Sequence, residues 1–246
     1  IECASFVSPR WVPQMADSDR VLAGIARAPG VFYAALTPNL RGLEAALAAG
    51  ADEVAIFASA SEGFSRANIN ASIAESLERF APVAKAAREA GLPLRGYVSC
   101  AVECPFEGPV APAAAARVAD ALADLGCYEI SLADTIGRAR PEAVAAMLEA
   151  VLQGLPADRL AGHFHDTAGQ ALANVEVALD LGLRVFDAAA GGLGGCPYAP
   201  GAAGNLATEA LAARLADLGY ETGLDAAVLA EAADIARALR LRREAT

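Results

Sequence analysis

The sequence predicts an α/β fold: a parallel (β/α)8 barrel in one domain, residues 1–246, with its opening strand upstream of Ile1. Three observations carry this. Short β-rich runs alternate with segments whose apolar residues recur at helical spacing, as in repeated βα units. Polar residues stand at the ends of many strands (Ser5, Thr37, Asn39, Ser59, Ser99, Asp134, His165, Asp166), as a barrel requires when it gathers every strand end at one mouth. No G-x-G-x-x-G follows an early strand, as an open dinucleotide-binding sheet would prefer.

Strands are predicted at residues 1–6, 32–36, 53–57, 94–99, 129–133, 160–165 and 185–188. Between them the helical period is marked first by Leu40, Leu43 and Leu47, then by Ile69, Ile73, Leu77 and Phe80. It returns at Val144, Met147, Leu148 and Val151, and again at Leu172, Val175 and Leu179. Gly50, Gly91, Gly126 and Gly182 follow helical segments, where a left-handed residue ends a helix at least cost. The alanine-rich "VAPAAAAR" reads as a helix start, and no linker or charge block marks a second domain. A closed barrel needs eight strands and this chain shows seven, so the chain is expected to be a piece of a longer protein.

Composition narrows the function. Hydrophobic residues make up 55% and charged residues 20%, with no apolar run of membrane-spanning length, so no membrane partner is expected. A net charge of −11 argues against nucleic acid and implies that an anionic substrate needs local positive charge, from arginine or a bound cation. Cys3, Cys100, Cys104, Cys127 and Cys196 are odd in number and irregular in spacing, which predicts free thiols in a reducing compartment. Alanine-, arginine- and glycine-rich composition points to a bacterial cytoplasmic protein, or to the mitochondrial matrix if the source is eukaryotic.

Both histidines of the chain lie in "LAGHFHDTAG". On a strand, residues i and i+2 share a face, so His163 and His165 present two imidazoles side by side, a geometry suited to a metal ion. The glycine-rich "AAAGGLGGCPYAPGAAGN" follows the last strand and carries Cys196, a thiol able to move a proton at the mouth. Asn205, at its end, is either a helix N-cap or a hard-cation ligand. With the two histidines it leaves open positions for substrate oxygens around Mg²⁺, Mn²⁺ or Zn²⁺. Asp166 points to the other face from His165. Asp134 and Glu2 are better placed to line the barrel, although a helix N-terminal cap and an ion-pair partner explain them equally well.

These segments, with "SFVSPRWVPQM", "LTPNLRG", "NINASI", "RGYVSCAVECPFEG", "GCYEISLADTIG", "HFHDTAGQALAN" and "GGLGGCPYAPGAAGNLATE", resemble the 3-hydroxy-3-methylglutaryl-CoA lyases over nearly the whole chain. That family belongs to a superfamily of metal-dependent TIM-barrel enzymes. The resemblance implies a retro-Claisen cleavage giving acetyl-CoA and acetoacetate, a step of leucine degradation and ketone-body metabolism. It implies Mg²⁺ or Mn²⁺ as cofactor, a CoA thioester as substrate, and a homodimer. Carried over, His163, His165 and Asn205 match the metal ligands and Cys196 the catalytic loop cysteine. Glu2 and Asp134 match polar residues of the pocket, beside Ser131 and Ser5, and Glu209 matches a carboxylate near the metal. The family's opening "R-D-G-L-Q" segment, with an arginine and a metal-binding aspartate, has no counterpart here. Ala168 stands where an aromatic residue is expected, and Ala188 and Ala189 stand where serines are expected. A condensing enzyme using acetyl-CoA and a 2-oxo acid, or an inactive barrel kept as a binding subunit, are the alternatives.

Overall fold

A computed structural model describes residues 1–195 and 204–244, with side chains to residue 239. The strands are β1 (Glu2–Ser5), β2 (Ala34–Leu36), β3 (Glu53–Ser59), β4 (Leu94–Ser99), β5 (Glu103–Cys104), β6 (Gly108–Pro109), β7 (Glu129–Asp134), β8 (Leu160–Phe164) and β9 (Val185–Asp187). Each of the seven predicted strands is present. The β5–β6 hairpin, two residues a side, was too short to give a period and was not anticipated.

Seven strands form one parallel sheet in the order β1-β2-β3-β4-β7-β8-β9, so successive sheet strands are neighbours. Among the described residues β1 and β9 are its two edges, and they do not pair with each other. The sheet is curled into an incomplete barrel. Glu2 on β1 and Asp187 on β9 both hydrogen-bond to side chains of β4, three strands away in each direction, which a flat sheet could not allow. The gap lies between the strands at Ile1 and Val185, where the sequence placed it; a seven-stranded ring is excluded.

Alternation along the strands divides the side chains. One face packs outward beneath the helices through Val54, Ile56, Leu94, Val98, Ile130, Leu132, Leu160 and Phe164, all buried. The other holds the polar residues of the interior. Gly96 marks how close the outer layer comes: a Cβ there would meet Ile130 Cδ1 at 3.0 Å, Cys127 Sγ at 3.1 Å and Leu122 Cβ at 3.3 Å. Helix Pro112–Asp124 can seat on β4 because that position has no side chain. Helices Leu40–Ala48, Pro141–Val151 and Ala171–Asp180 fall where their apolar periods predicted them.

The period through Ile69, Ile73, Leu77 and Phe80 is not one helix. Helix Glu62–Ile69 stops at Asn70, whose φ of 50° is left-handed, and helix Ile73–Glu89 begins anew behind a capping box of Ser72 and Glu75. Asparagine tolerates that conformation and the capping box satisfies the freed amides, so local hydrogen bonding overrides a continuous apolar stripe. Cys3, Cys104 and Cys127 are free thiols, as expected; Cys196 lies outside the described residues. Among the described residues no helix is long and apolar enough to cross a membrane.

Gly96→Ala is expected to cost about 1–3 kcal/mol through overpacking against helix Pro112–Asp124. Urea denaturation measures it, and an unchanged midpoint would mean that the helix is not seated as described.

Candidate active site

β8 and the residue after it bring the histidines together. The His163 and His165 rings lie with centroids 5.4 Å apart and planes inclined by 32°, on one face as their i, i+2 spacing requires. At that separation one ion can bind a nitrogen of each at about 2.0–2.2 Å. His165 forms an isolated antiparallel bridge with Asn205, which sets the asparagine beside it. The returning chain is held by Leu206 N donating to Phe164 O at 3.1 Å and Asp166 N donating to Gly204 O at 2.9 Å. Asn205 Nδ2 donates to Leu193 O at 2.9 Å, which turns the amide oxygen the other way. The return needs glycine: Gly204 has a φ of 77°, and a Cβ there would collide with the Gly194 carbonyl. Helix Thr208–Asp217 has Ala207 at its N-cap, so the capping reading of Asn205 is set aside.

The site continues inward through residues that no sequence motif marks. Asp187, at the end of β9, is the register partner of His163 on β8. Its Oδ2 lies 3.3 Å from His163 Nδ1 and accepts from Ser131 Oγ at 2.6 Å. Its Oδ1 accepts from Arg95 Nη1 at 2.8 Å. Arg95 also donates through Nε to Glu129 at 2.6 Å and through Nη1 to the Tyr97 hydroxyl at 2.9 Å. Tyr97 in turn donates to Glu2 Oε2 at 2.8 Å, and its ring stands edge-on to His163 at 6.3 Å.

Electrostatics follow from these contacts. Burial by itself would push Asp187 up, but the His163 ring nitrogen, the Arg95 guanidinium and the Ser131 hydroxyl outweigh it and bring the carboxyl to about 2. Burial, and then the neighbouring His163, push His165 down to about 4. His165 is therefore a neutral imidazole at physiological pH, with a lone pair to give. Two imidazoles and an amide oxygen fit a divalent cation as a partial donor set. Among the described residues no third histidine, cysteine, aspartate or glutamate joins them in a metal-holding group.

The other expected site residues divide. Ser131 is fully buried and touches the site through Asp187. Glu2 reaches it through Tyr97. Ser5 ends β1, half-buried, beside Ser18. Asp134 does not take the expected place. It pairs with Phe164 and shares its face, whereas His163 pairs with Ala133, so strand alternation turns Asp134 away from the histidines. Its carboxylate is occupied by the backbone amides of Gly137, Arg138 and Ala139, a turn-holding role. Glu209 accepts from Gly191 N and from Arg237, each at 3.0 Å, and so ties the glycine-rich segment to the C-terminal helix. Asp166 accepts from Ala171 N at the start of the next helix, consistent with its exclusion from the ligand set. Cys196 falls outside the described residues. Arg95, Tyr97, Glu129 and Asp187 were missed. Their signal was an alternation of polar side chains inside β-rich runs, faint because each strand shows one or two of them.

Known proteins share this fold over most of the chain. The model of the HMGL-like family matches residues 1–236. A hydroxymethylglutaryl-CoA lyase of Pseudomonas mevalonii is 59% identical over 231 residues, which are 94% of this chain and 77% of that protein. The crystal structure of the HMG-CoA lyase from Brucella melitensis superposes with a TM-score of 0.96 at 61% identity, covering 98% of this chain and 85% of the other. An HMG-CoA lyase from Acinetobacter baumannii, in complex with coenzyme A and 3-methylmalate, has a TM-score of 0.89 at 37% identity, covering 95% and 76%.

Arg95 is 8% exposed and Glu129 10% exposed. Arg95→Met is therefore expected to cost about 3–5 kcal/mol, because it strands buried carboxylates, and Arg95→Lys to recover part of that. Chemical denaturation of the two variants provides the check; a neutral Arg95→Met would remove Arg95 from the framework of the site.

Proposed function

The chain belongs to the HMGL-like family, and on that premise we propose that it cleaves 3-hydroxy-3-methylglutaryl-CoA to acetyl-CoA and acetoacetate. The juxtaposition of His163, His165 and Asn205 carries the proposal, because it offers a cation nitrogen and oxygen donors of the kind that such a cleavage uses. The complex of a relative with coenzyme A supports a CoA thioester as the substrate class. A net charge of −11 supports the need for a cation, Mg²⁺ or Mn²⁺, beside an anionic acyl-CoA.

The reaction breaks the bond between C2 and C3 of the acyl chain. The C3 hydroxyl loses its proton and becomes the ketone of acetoacetate; the electron pair of the broken bond passes to C2, which takes up a proton to give acetyl-CoA. A divalent cation held by His163, His165 and Asn205 would act as a Lewis acid, lowering the proton affinity of the substrate oxygens. The chain's own groups do the rest. Asp187 and Ser131 hold His163 in place, and the neutral state of His165 keeps its lone pair available. The Tyr97–Glu2 pair lines the interior beside Arg95. Cys196 is the proposed donor of the proton to C2; a neutral thiol suits so basic an acceptor.

Incubating the protein with 3-hydroxy-3-methylglutaryl-CoA and Mg²⁺ should release acetoacetate and acetyl-CoA in equal amounts, and a chelator should stop it. Cys196→Ala should fold and bind metal but turn over about 10²–10⁴-fold more slowly. Consumption of acetyl-CoA with a 2-oxo acid would instead indicate a condensing enzyme, and no reaction of either kind would leave a binding barrel.

A further inference from the structure

We infer that Asp187 is the positioning residue that fixes the tautomer of His163, holding the ring proton on Nδ1 and leaving the Nε2 lone pair free for a divalent cation. The cation itself rests on the function proposed above; the tautomer does not. His163 and Asp187 are register partners on adjacent strands, so the backbone sets their approach. A carboxylate can only accept, and Oδ2 lies 3.3 Å from Nδ1; an unprotonated Nδ1 there would set two acceptors against each other. Asp187 cannot turn away. Arg95 grips Oδ1 at 2.8 Å, Ser131 grips Oδ2 at 2.6 Å, and Arg95 is itself fixed by Glu129 at 2.6 Å. The His163 ring is bounded by the edge-on Tyr97 ring on one side and by His165 on another. The arrangement is that of an aspartate orienting an imidazole through one nitrogen so that the other can act, as outer-shell carboxylates do behind metal-bound histidines.

Asparagine at position 187 makes the inference testable, because it keeps the shape and reverses the hydrogen bonding. The Arg95 fork, which can only donate, should draw the amide oxygen, turning the amide NH₂ toward Ser131 and His163. Nδ1 must then accept, and the ring proton moves to Nε2. An aspartate-to-asparagine change behind a catalytic histidine is known to act through the wrong tautomer in this way.

The chain has two histidines, so ring-nitrogen NMR of ¹⁵N-histidine-labelled protein resolves them, with His165→Asn assigning the pair. In the metal-free wild type, His163 should be protonated on Nδ1. In Asp187→Asn it should be protonated on Nε2, and Mn²⁺ affinity measured by calorimetry should fall about 10–100-fold. Wild-type His163 protonated on Nε2 would overturn the inference even if the variant failed to fold, and so would an Asp187→Asn protein that kept the wild-type tautomer. Absence of Mn²⁺ binding by the wild type would sink the metal reading, while the two tautomer measurements decide the role of Asp187 on their own.

Discussion

The interior is organised around the buried guanidinium of Arg95. Placing a charge among barrel side chains carries a large desolvation cost, which is offset only when its donors meet acceptors in good geometry. Arg95 meets that demand with Glu129, Asp187 and the Tyr97 hydroxyl, from β7, β9 and its own strand. A planar fork can serve several acceptors at once; a lysine ammonium on a flexible stem would not fix them in the same way. Because Asp187 belongs to the edge strand, its ion pair with β4 also holds the curl of the sheet, and the curl brings β8 and β9 around to face β4. The position of His163 thus depends on a contact deep below it.

This framework links stability to chemistry. Glu129 and Asp187 share one guanidinium, and Glu2 stands behind Tyr97 on the edge strand, so among the described residues this network carries more carboxylates than cations. An anionic acyl-CoA entering such a lining is opposed unless a cation waits near the mouth, where the two imidazoles lie. The same residues that hold the barrel in shape give the interior its negative field. Burial, and then the neighbouring His163, hold His165 neutral. The glycine-rich return adds an amide beside them. Its backbone passes so close to itself that side chains would be excluded at Gly204, and Asn205 is thereby delivered beside His165.

Much of this was legible in the residues. Strands and most helices were readable because apolar periodicity is a local property, and the histidine pair was readable because a period of two puts His163 and His165 on one face whatever the fold. The helix through Ile69 and Ile73 was misread where Asn70 and the Ser72–Glu75 box made a local break stronger than the stripe. Asp134 admitted two readings, pocket residue or cap, for a subtler reason. It ends the same strand as Ser131, but an odd step along a strand turns a side chain to the opposite face, and a backbone turn then claims its oxygens.

The sequence by itself determined the alternation of strands and helices, the side-by-side imidazoles and the glycines that permit a tight return, since each depends on neighbours a few residues apart. Tertiary structure alone decided which carboxylate stands behind His163. Arg95 and Asp187 are separated by 92 positions in the chain, and Ser131 and Asp187 by 56. No local pattern relates residues so distant; their meeting is fixed by strand register and by the curl of the sheet, which exist only when its strands are assembled.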